Sequence, residues 1–452
     1  MVFQNNVLAG GAGGSGTTTY AIDQSIRFNQ ADSPYMEKTY SGDGSRTTWS
    51  FSFWTKLGKS PPYNTSQANP FMAYNTTSGA QEDIRIIGTN QQLQWFTHND
   101  GGTGTLADLK TTQYLRDHSA WYHILCVADR TNAVSSERQR IYINGQRVTD
   151  FATETYPSQN AEGHVGKSAD VHYIGSRAGN SNTRLDGYMA EIVFIDGTAL
   201  DPSSFGEYNS SNIWIPKDVS GLTFGTNGFH IKGESASDLG NDSSSNNNDF
   251  TTSGLASDDQ QPDSPTNNHC TWNPIEAETL LTYSNGNLAI AYSGSSARNM
   301  ARSTIQIPAS TDAFFEMVMT SNLGSGVDFA IGIEDGTAQS DNSNSIYNNA
   351  YIIREDGNFV DQSSSGSYGV SFTNTDVIGV WRKANGDLVF YKNGTAMNSG
   401  TPAKTGLTGT MFFVAGAFNG ASAEARFASS KWTNKPSGVT DSMALNTSNL
   451  GS

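Results

Sequence analysis

One hairpin is written twice in this chain. In the first half, Trp121–Asp129 (WYHILCVAD) leads through a polar loop into Gln139–Arg147 (QRIYINGQR). In the second half, Asp376–Lys383 (DVIGVWRK) crosses Ala384-Asn385-Gly386 into Asp387–Asn393 (DLVFYKN) and Gly394. Both copies end on Tyr-x-Asn-Gly, at Tyr142, Asn144 and Gly145 and again at Tyr391, Asn393 and Gly394. Asn-Gly suits a type I′ turn, which needs positive φ at both central residues and matches the twist of the flanking strands. Two related β-sandwiches in tandem are the simplest fold that contains both copies.

Composition supports an all-β chain. The 452 residues allow two or three domains, each with its own core. Only 36% of residues are hydrophobic and 15% charged, while 46 glycines call for many tight turns, so the loops are long, polar and uncharged. The net charge of −16, with no run of Lys or Arg, argues against nucleic acid as a partner. No stretch approaches the ~20 apolar residues of a membrane span, so no membrane insertion is expected. The start, MVFQNNVLAGGAGGSG, has neither the basic region nor the apolar run of a signal peptide. Cys126 lies in an apolar strand and Cys270 in a polar stretch, a pattern unlike that of a stapled secreted domain.

Periodicity sets the organisation. Residues 1–21 form a Gly/Thr-rich extended arm, a candidate assembly anchor. Trp49, Phe51 and Phe53 alternate with Ser50 and Ser52, the pattern of a half-buried strand. Gly187–Ile195 is apolar on both faces apart from Glu191, as in a strand buried inside a sandwich. The first sandwich is expected over 22–217. Pro202–Tyr208 is the best place for a short helix. Residues 218–274 include Ser235–Asn268, almost free of large apolar side chains, and read as a polar inter-domain connection. A second sandwich follows over 275–436, and 437–452 reads as a C-terminal tail.

With these residues in view, the first half resembles the laminin-G-like jelly roll of the concanavalin superfamily. The features that carry it are Ser50–Trp54, Ser119–Asp129, Arg140–Val148, His172–Arg177 and Leu185–Gly206 (LDGYMAEIVFIDGTALDPSSFG). The second half is similar to a SPRY-type sandwich, through Thr375–Thr395 and Phe314-Phe315-Glu316-Met317. Together with Gly225–Gly233, Asp238–Phe250 and Asp263–Pro274, the pair resembles virion proteins of marine tailed bacteriophages. That resemblance implies a tail-fibre, head-fibre or capsid-decoration protein at the virion surface. It implies self-association, with a trimer favoured, contacts to other virion proteins through the N-terminal arm, and host surface glycans as ligands. The alternative is a cellular lectin-like adhesin or a glycan-processing enzyme of the same fold.

The residues themselves give little catalytic chemistry. Retaining glycosidases need two carboxylates about 5 Å apart, and concanavalin-type glucanases carry them as Glu-x-Asp-x-x-Glu. No such run occurs, and Glu191 and Asp196, five apart, face opposite sides of a strand. The seven histidines fit no motif for activating Ser or Cys, and no Cys/His spacing fits zinc. The chain is therefore expected not to be an enzyme and to need no cofactor, with calcium the one metal to consider. Asp238, Asn241, Asp242, Asn246 and Asp249 would supply oxygen ligands of the type calcium takes. For a glycan, aromatic platforms beside polar rim residues are the candidates: Trp95, His98, Asn99 and Asp100 around Phe96, and Tyr63 with Asn64.

Overall fold

The computed structural model describes residues 20–58, 67–88, 91–177, 179–180, 183–275, 281–293, 299–321, 329–336, 350–361 and 364–450. The chain divides into two units, Met1–Asn267 and Asn268–Ser452. Tyr63, Asn64 and the arm up to residue 19 lie outside the described residues.

The first unit contains β1 (Ser25–Phe28), β2 (Tyr35–Lys38), β3 (Thr48–Leu57), β4 (Gln67–Tyr74), β5 (Gln81–Ile87), β6 (Gln92–His98), β7 (Thr105–Tyr114), β8 (Tyr122–Asp129) and β9 (Gln139–Ile143). It continues with β10 (Gln146–Arg147), β11 (Phe151–Thr155), β12 (Val171–Ile174), β13 (Gly187–Asp196), β14 (Gly206–Tyr208), β15 (Trp214–Pro216), β16 (Phe229–Ile231), β17 (Thr251–Ser253) and β18 (Gln260–Gln261). Sheet I runs β10-β9-β8-β3-β13-β1-β18, with β16 also on β13; sheet II runs β11-β7-β6-β5-β4-β12-β2-β17. Every pairing between these strands is antiparallel, so the expected sandwich architecture is present. Phe51, Phe71 and Phe194 meet between the sheets, with Phe51 and Phe71 stacked at 4.2 Å.

Two expectations change here. The β3 strand is buried along both faces from Trp49 onward, not half-buried. Its serine face looks outward from the sandwich, but the chain after β13 folds back over it. Phe205, Val219 and Phe224 pack on Leu125, Val127, Val193 and Ile195, and Ser50 Oγ donates to Thr198 O at 3.0 Å. Short side chains on that face are what leave room for the cover. Residues 218–267 are likewise not a connection but part of the first unit: β16, β17 and β18 complete its sheets, and Phe229, Ile231 and Phe250 enter its core. A segment poor in apolar residues holds its place through Phe229, Ile231, Leu239 and Phe250 and a dense set of side-chain to backbone bonds. The expected helix at Pro202–Tyr208 is one 3₁₀ turn, Pro202–Ser204, followed directly by β14.

The second unit contains β19 (Leu281–Ser284), β20 (Ala289–Tyr292), β21 (Asn299–Arg302), β22 (Ala313–Ser321), β23 (Phe329–Glu334), β24 (Ala350–Arg354), β25 (Asn358–Asp361), β26 (Ser364–Ser367), β27 (Val377–Arg382), β28 (Leu388–Lys392), β29 (Thr395–Ala396), β30 (Phe412–Ala417) and β31 (Ser422–Arg426). Sheet III runs β19-β20-β31-β22-β27-β28-β29 and sheet IV runs β21-β30-β23-β24-β25-β26. Phe315, Phe413, Phe427 and Trp272 lie between them. Residues 437–450 are not a free tail. Val439 packs with Phe314 and Val389 on the outer face of sheet III, and Cys270 N donates to Leu445 O at 2.9 Å. Cys270 is thus a core residue, and both it and Cys126 are buried and not joined in a disulfide.

The duplicated hairpin has a physical cause that its sequence only hints at. Asn144 and Gly145 have φ of 48° and 76°, and Asn393 and Gly394 of 50° and 78°, as a type I′ turn requires. In the first copy, His123 N donates to Asn144 Oδ1 and Asn144 N to His123 O, both at 2.8 Å. In the second, Val377 N donates to Asn393 Oδ1 and Asn393 N to Val377 O, again at 2.8 Å. Each asparagine therefore closes the turn and also pins the start of the preceding strand.

Candidate functional site

Alternation decides what sheet II shows to its outer side. Ile84, Ile86, Leu93, Trp95 and Leu109 point into the core. Their neighbours Asp83, Arg85, Gln94, Phe96 and Asp108 therefore point outward. These side chains are bonded into a ladder that crosses four strands. Arg85 Nη1 donates to Gln67 Oε1 at 3.0 Å and Arg85 Nε to Gln94 Oε1 at 2.8 Å. Gln94 Nε2 in turn donates to Asp108 Oδ1 at 2.6 Å. The Arg85 guanidinium lies over the Phe96 ring, 4.7 Å from its centroid, and Arg177 lies 4.2 Å from the centroid of Tyr74. Planar amide, guanidinium and carboxylate groups stand beside aromatic faces, and all but Arg177 are held on strands.

Asp83 sits in this face between Met72 and Phe96, its cross-strand neighbours on β4 and β6. It is fully buried. Its Oδ2 accepts from Gln81 Nε2 at 2.7 Å and from Arg85 Nη1 at 3.3 Å, while Oδ1 is buried without a hydrogen-bond partner. Burial pushes its carboxyl up to about 7, against the opposing pull of Arg85. An ionised carboxylate in an apolar slot loses hydration that Gln81 and Arg85 restore only in part.

Of the aromatic cluster expected from sequence, the structure keeps part on this face. Phe96 and His98 point outward, edge-on to each other at 4.9 Å, and burial holds the His98 imidazole below its usual range. Trp95 points inward, is fully buried and donates Nε1–H to Glu82 Oε1 at 3.0 Å, so it belongs to the core. Neighbours in a strand face opposite ways, which divides a cluster that is contiguous in sequence. Asn99 closes the turn after β6, accepting Gly104 N–H on Oδ1 at 3.2 Å. Asp100 is exposed in that turn, and Lys167 at 2.9 Å is the main cause of its lowered carboxyl. Gln67, Arg85, Gln94 and Asp108 were not foreseen. The signal was there in QEDIRII and QLQWFTH, where polar residues recur at every second position.

The calcium set is placed differently from what its composition suggests. Asp242 accepts four bonds, from His230 N (2.8 Å) and Ser244 N (2.9 Å) on Oδ1 and from Ser244 Oγ and Asn248 N (both 2.8 Å) on Oδ2. Asp249 Oδ1 accepts Asp242 N–H at 2.8 Å, and Asn246 Nδ2 donates to Gly225 O and Gly228 O. Asp238 and Asn241 form a turn, Asn241 N donating to Asp238 O. The Asp242 and Asp249 carboxylates and the Asn246 amide thus staple a loop with little apolar surface. Among the described residues no group of three His, Cys, Asp or Glu is arranged to hold a metal ion.

A second polar system lies inside the first sandwich. Glu82 accepts Trp95 Nε1–H and Arg130 Nη2–H on Oε1, and His164 N–H (2.8 Å) and Val165 N–H (3.3 Å) on Oε2. Asp170 accepts from His164 Nδ1 at 2.7 Å and from Asn75 Nδ2 at 2.6 Å. Burial pulls on Glu82, but the Arg130 charge prevails and holds its carboxyl below the ordinary value. This network fixes the 163–170 loop on the sandwich.

One geometry looks like a nucleophile and its base. Ser52 Oγ lies 2.8 Å from His123 Nε2. However, Trp214 donates its indole N–H to His123 Nδ1 at 3.1 Å. With Nδ1 occupied as an acceptor, the neutral ring carries its proton on Nε2 and donates it to Ser52, so it has no lone pair to accept the serine proton. Burial lowers this imidazole to about 3, which keeps it neutral. Glu191 sits at a bulge of β13 with φ of 48°; its carboxylate meets His230 Nε2 at 2.8 Å and Tyr20 OH at 3.1 Å. Asp196, at the end of that strand, accepts Ser45 N–H and Asn227 N–H. The two carboxylates thus have separate partners and do not form a catalytic pair.

No curated protein sequence matches the chain. Among solved structures, the SPRY domain of human HERC1 is 14% identical with a TM-score of 0.28, covering 34% of this chain and 96% of its own. The mouse laminin α1 chain domains LG4-5 are 8% identical with a TM-score of 0.31, covering 91% of this chain and 90% of their own. Residues 31–204 match a laminin-G-type profile of the Concanavalin A-like lectin/glucanases superfamily.

Proposed function

We propose that the first unit is a non-enzymatic binding module for a glycan, and that the outer face of sheet II is its contact surface. The observation that carries this is the ladder Gln67–Arg85–Gln94–Asp108 beside Phe96. Sugar hydroxyls pair well with planar amide and carboxylate groups, and sugar C–H faces stack on aromatic rings. A bed held on strands is pre-organised, so little ordering is lost on binding. The match of residues 31–204 to a lectin/glucanase superfamily supports the same ligand class. The buried tautomer of His123 favours binding over hydrolysis.

The setting suggested by the sequence resemblance is the surface of a tailed-phage virion, as a fibre or decoration protein. There many copies would add avidity to a weak single site. Screening the protein and its Phe96→Ala and Asp108→Asn variants on a glycan array tests the binding reading. Binding by wild type that falls at least about tenfold in both variants is expected. Binding that survives both unchanged would move the site elsewhere, and no binding by wild type would remove the reading.

A further inference from the structure

We propose that Asp83 is a proton-operated gate on the ladder, and that the protonated form opens Arg85 to the carboxylate of an acidic sugar. The inference rests on the glycan-binding reading of the sheet II face and adds both a ligand class and a control.

The geometry is that of a gate. Arg85 is the hub of the ladder, bonded at once to Gln67, Gln94 and Asp83. Gln67 and Gln94 are neutral, so Asp83 is the charged partner it touches. Asp83 is fully buried between Met72 and Phe96, with Oδ1 unpartnered. When Asp83 is ionised, Arg85 is neutralised in place, and its Nη1 is shared between Asp83 Oδ2 and Gln67 Oε1. When Asp83 takes a proton, Arg85 keeps its bonds to Gln67 and Gln94, and its Nη1–Nη2 edge faces no anion among the described residues. A guanidinium in that state matches the planar geometry of a carboxylate and binds it through two parallel bonds. The cation over Phe96 also keeps its orientation, since the ring contact does not depend on Asp83.

The charged and titratable groups around Asp83 permit this. On its own strand stand Glu82, which raises its affinity for a proton, and Arg85, which lowers it. Arg177 and His164 also lower it. On β6 stands His98, on β7 Asp108 and Lys110, and on β4 Tyr74. Burial outweighs the opposing charges and places the transition at about 7. His98 is held below its ordinary value by burial and so changes charge at lower pH. The net charge of −16 repels an anionic chain at long range, but at physiological salt that field is screened within about 8 Å.

The test is calorimetric titration of the full-length protein with hexagalacturonate and with a neutral hexasaccharide at constant salt, at pH 6 and pH 8. Galacturonate stays ionised at both. For a group centred at about 7, the open fraction falls from about nine-tenths at pH 6 to about one-tenth at pH 8, so the acidic ligand should bind roughly tenfold tighter at pH 6. Asp83→Asn, close in shape to the protonated form, should bind it with equal affinity at both. The wild-type comparison needs no variant. Equal affinity of wild type for the acidic ligand at the two pH values overturns the gate. A neutral ligand that binds while the acidic one does not overturns the ligand class but leaves the binding face standing. Failure of both ligands to bind at either pH removes gate and face together.

Discussion

Replacing Asn144 or Asn393 by alanine tests the account of the duplicated hairpin. Alanine at Asn144 strands the buried His123 amide, which now donates to Asn144 Oδ1 at 2.8 Å. An unsatisfied buried N–H costs about 1–3 kcal/mol. The residue must also hold φ near 48°, where an alanine Cβ crowds the following carbonyl at about 1–2 kcal/mol. The sum centres on about 3.5 kcal/mol, and a domain of this size loses roughly 2–4 °C of melting temperature per kcal/mol. The expected fall is therefore about 7–14 °C for the transition of the first unit. Asn144→Gly removes the side-chain acceptor but not the left-handed freedom, so it should recover about 1 kcal/mol of that loss. Asn144→Asp keeps an acceptor and should stay within about 0.5 kcal/mol of wild type. In the second unit, Asn393→Ala should act alike, through the Val377 amide. The assay is thermal unfolding followed by amide hydrogen exchange, reading His123 and Val377. Protection at those two amides that survives the alanine variants would refute the reasoning, as would equal stability of the alanine and aspartate variants.

Gly163 is a place where a single methyl should break a buried ion pair. A Cβ there would lie 2.0 Å from Arg130 Nη1 and 2.2 Å from Glu82 Oε2, so Gly163→Ala should destabilise the protein by about 3–5 kcal/mol in chemical denaturation. Stability should fall in acid below pH 6.5. His123 and His172 are held at about 3 and about 4 by burial, so the unfolded chain takes up protons in that window while the folded chain does not. Each contributes a slope of about 1.4 kcal/mol per pH unit, measurable from denaturant midpoints between pH 4 and 7. Asp83 has the opposite sign. Its folded carboxyl binds protons up to about 7, so its contribution is largest in acid and is lost as pH rises through that value. The melting temperature of Asp83→Asn relative to wild type should accordingly rise from pH 4 to pH 7 and then level off.

Much of the fold could be read in advance, because β periodicity is local. Gly187–Ile195, apolar on both faces, is the central strand β13, and Gln139–Ile143 is β9. What escaped depended on distant partners. Ser50 and Ser52 look solvent-facing in sequence, yet the 198–224 segment, some 150 residues away, covers them. The polar run 235–268 looked unable to fold, because its stability lies in side-chain to backbone bonds such as the four on Asp242 rather than in apolar area. The candidate site was half legible. Phe96 and His98 stand on the outer face of sheet II, but Trp95, next to Phe96 in the strand, is core. The ladder partners Gln67 and Asp108 are 41 residues apart in sequence, and cross-strand register alone brings them together.

The central claim is that the outer face of sheet II receives a saccharide. Hydrogen–deuterium exchange of the full-length protein, with and without its best array ligand in excess, reads this face directly. The account predicts that slowed exchange concentrates on β5, β6 and β7, around Arg85, Gln94, Phe96 and Asp108, and vanishes in Arg85→Ala. Slowed exchange confined to other strands, or unchanged protection in Arg85→Ala, would contradict it.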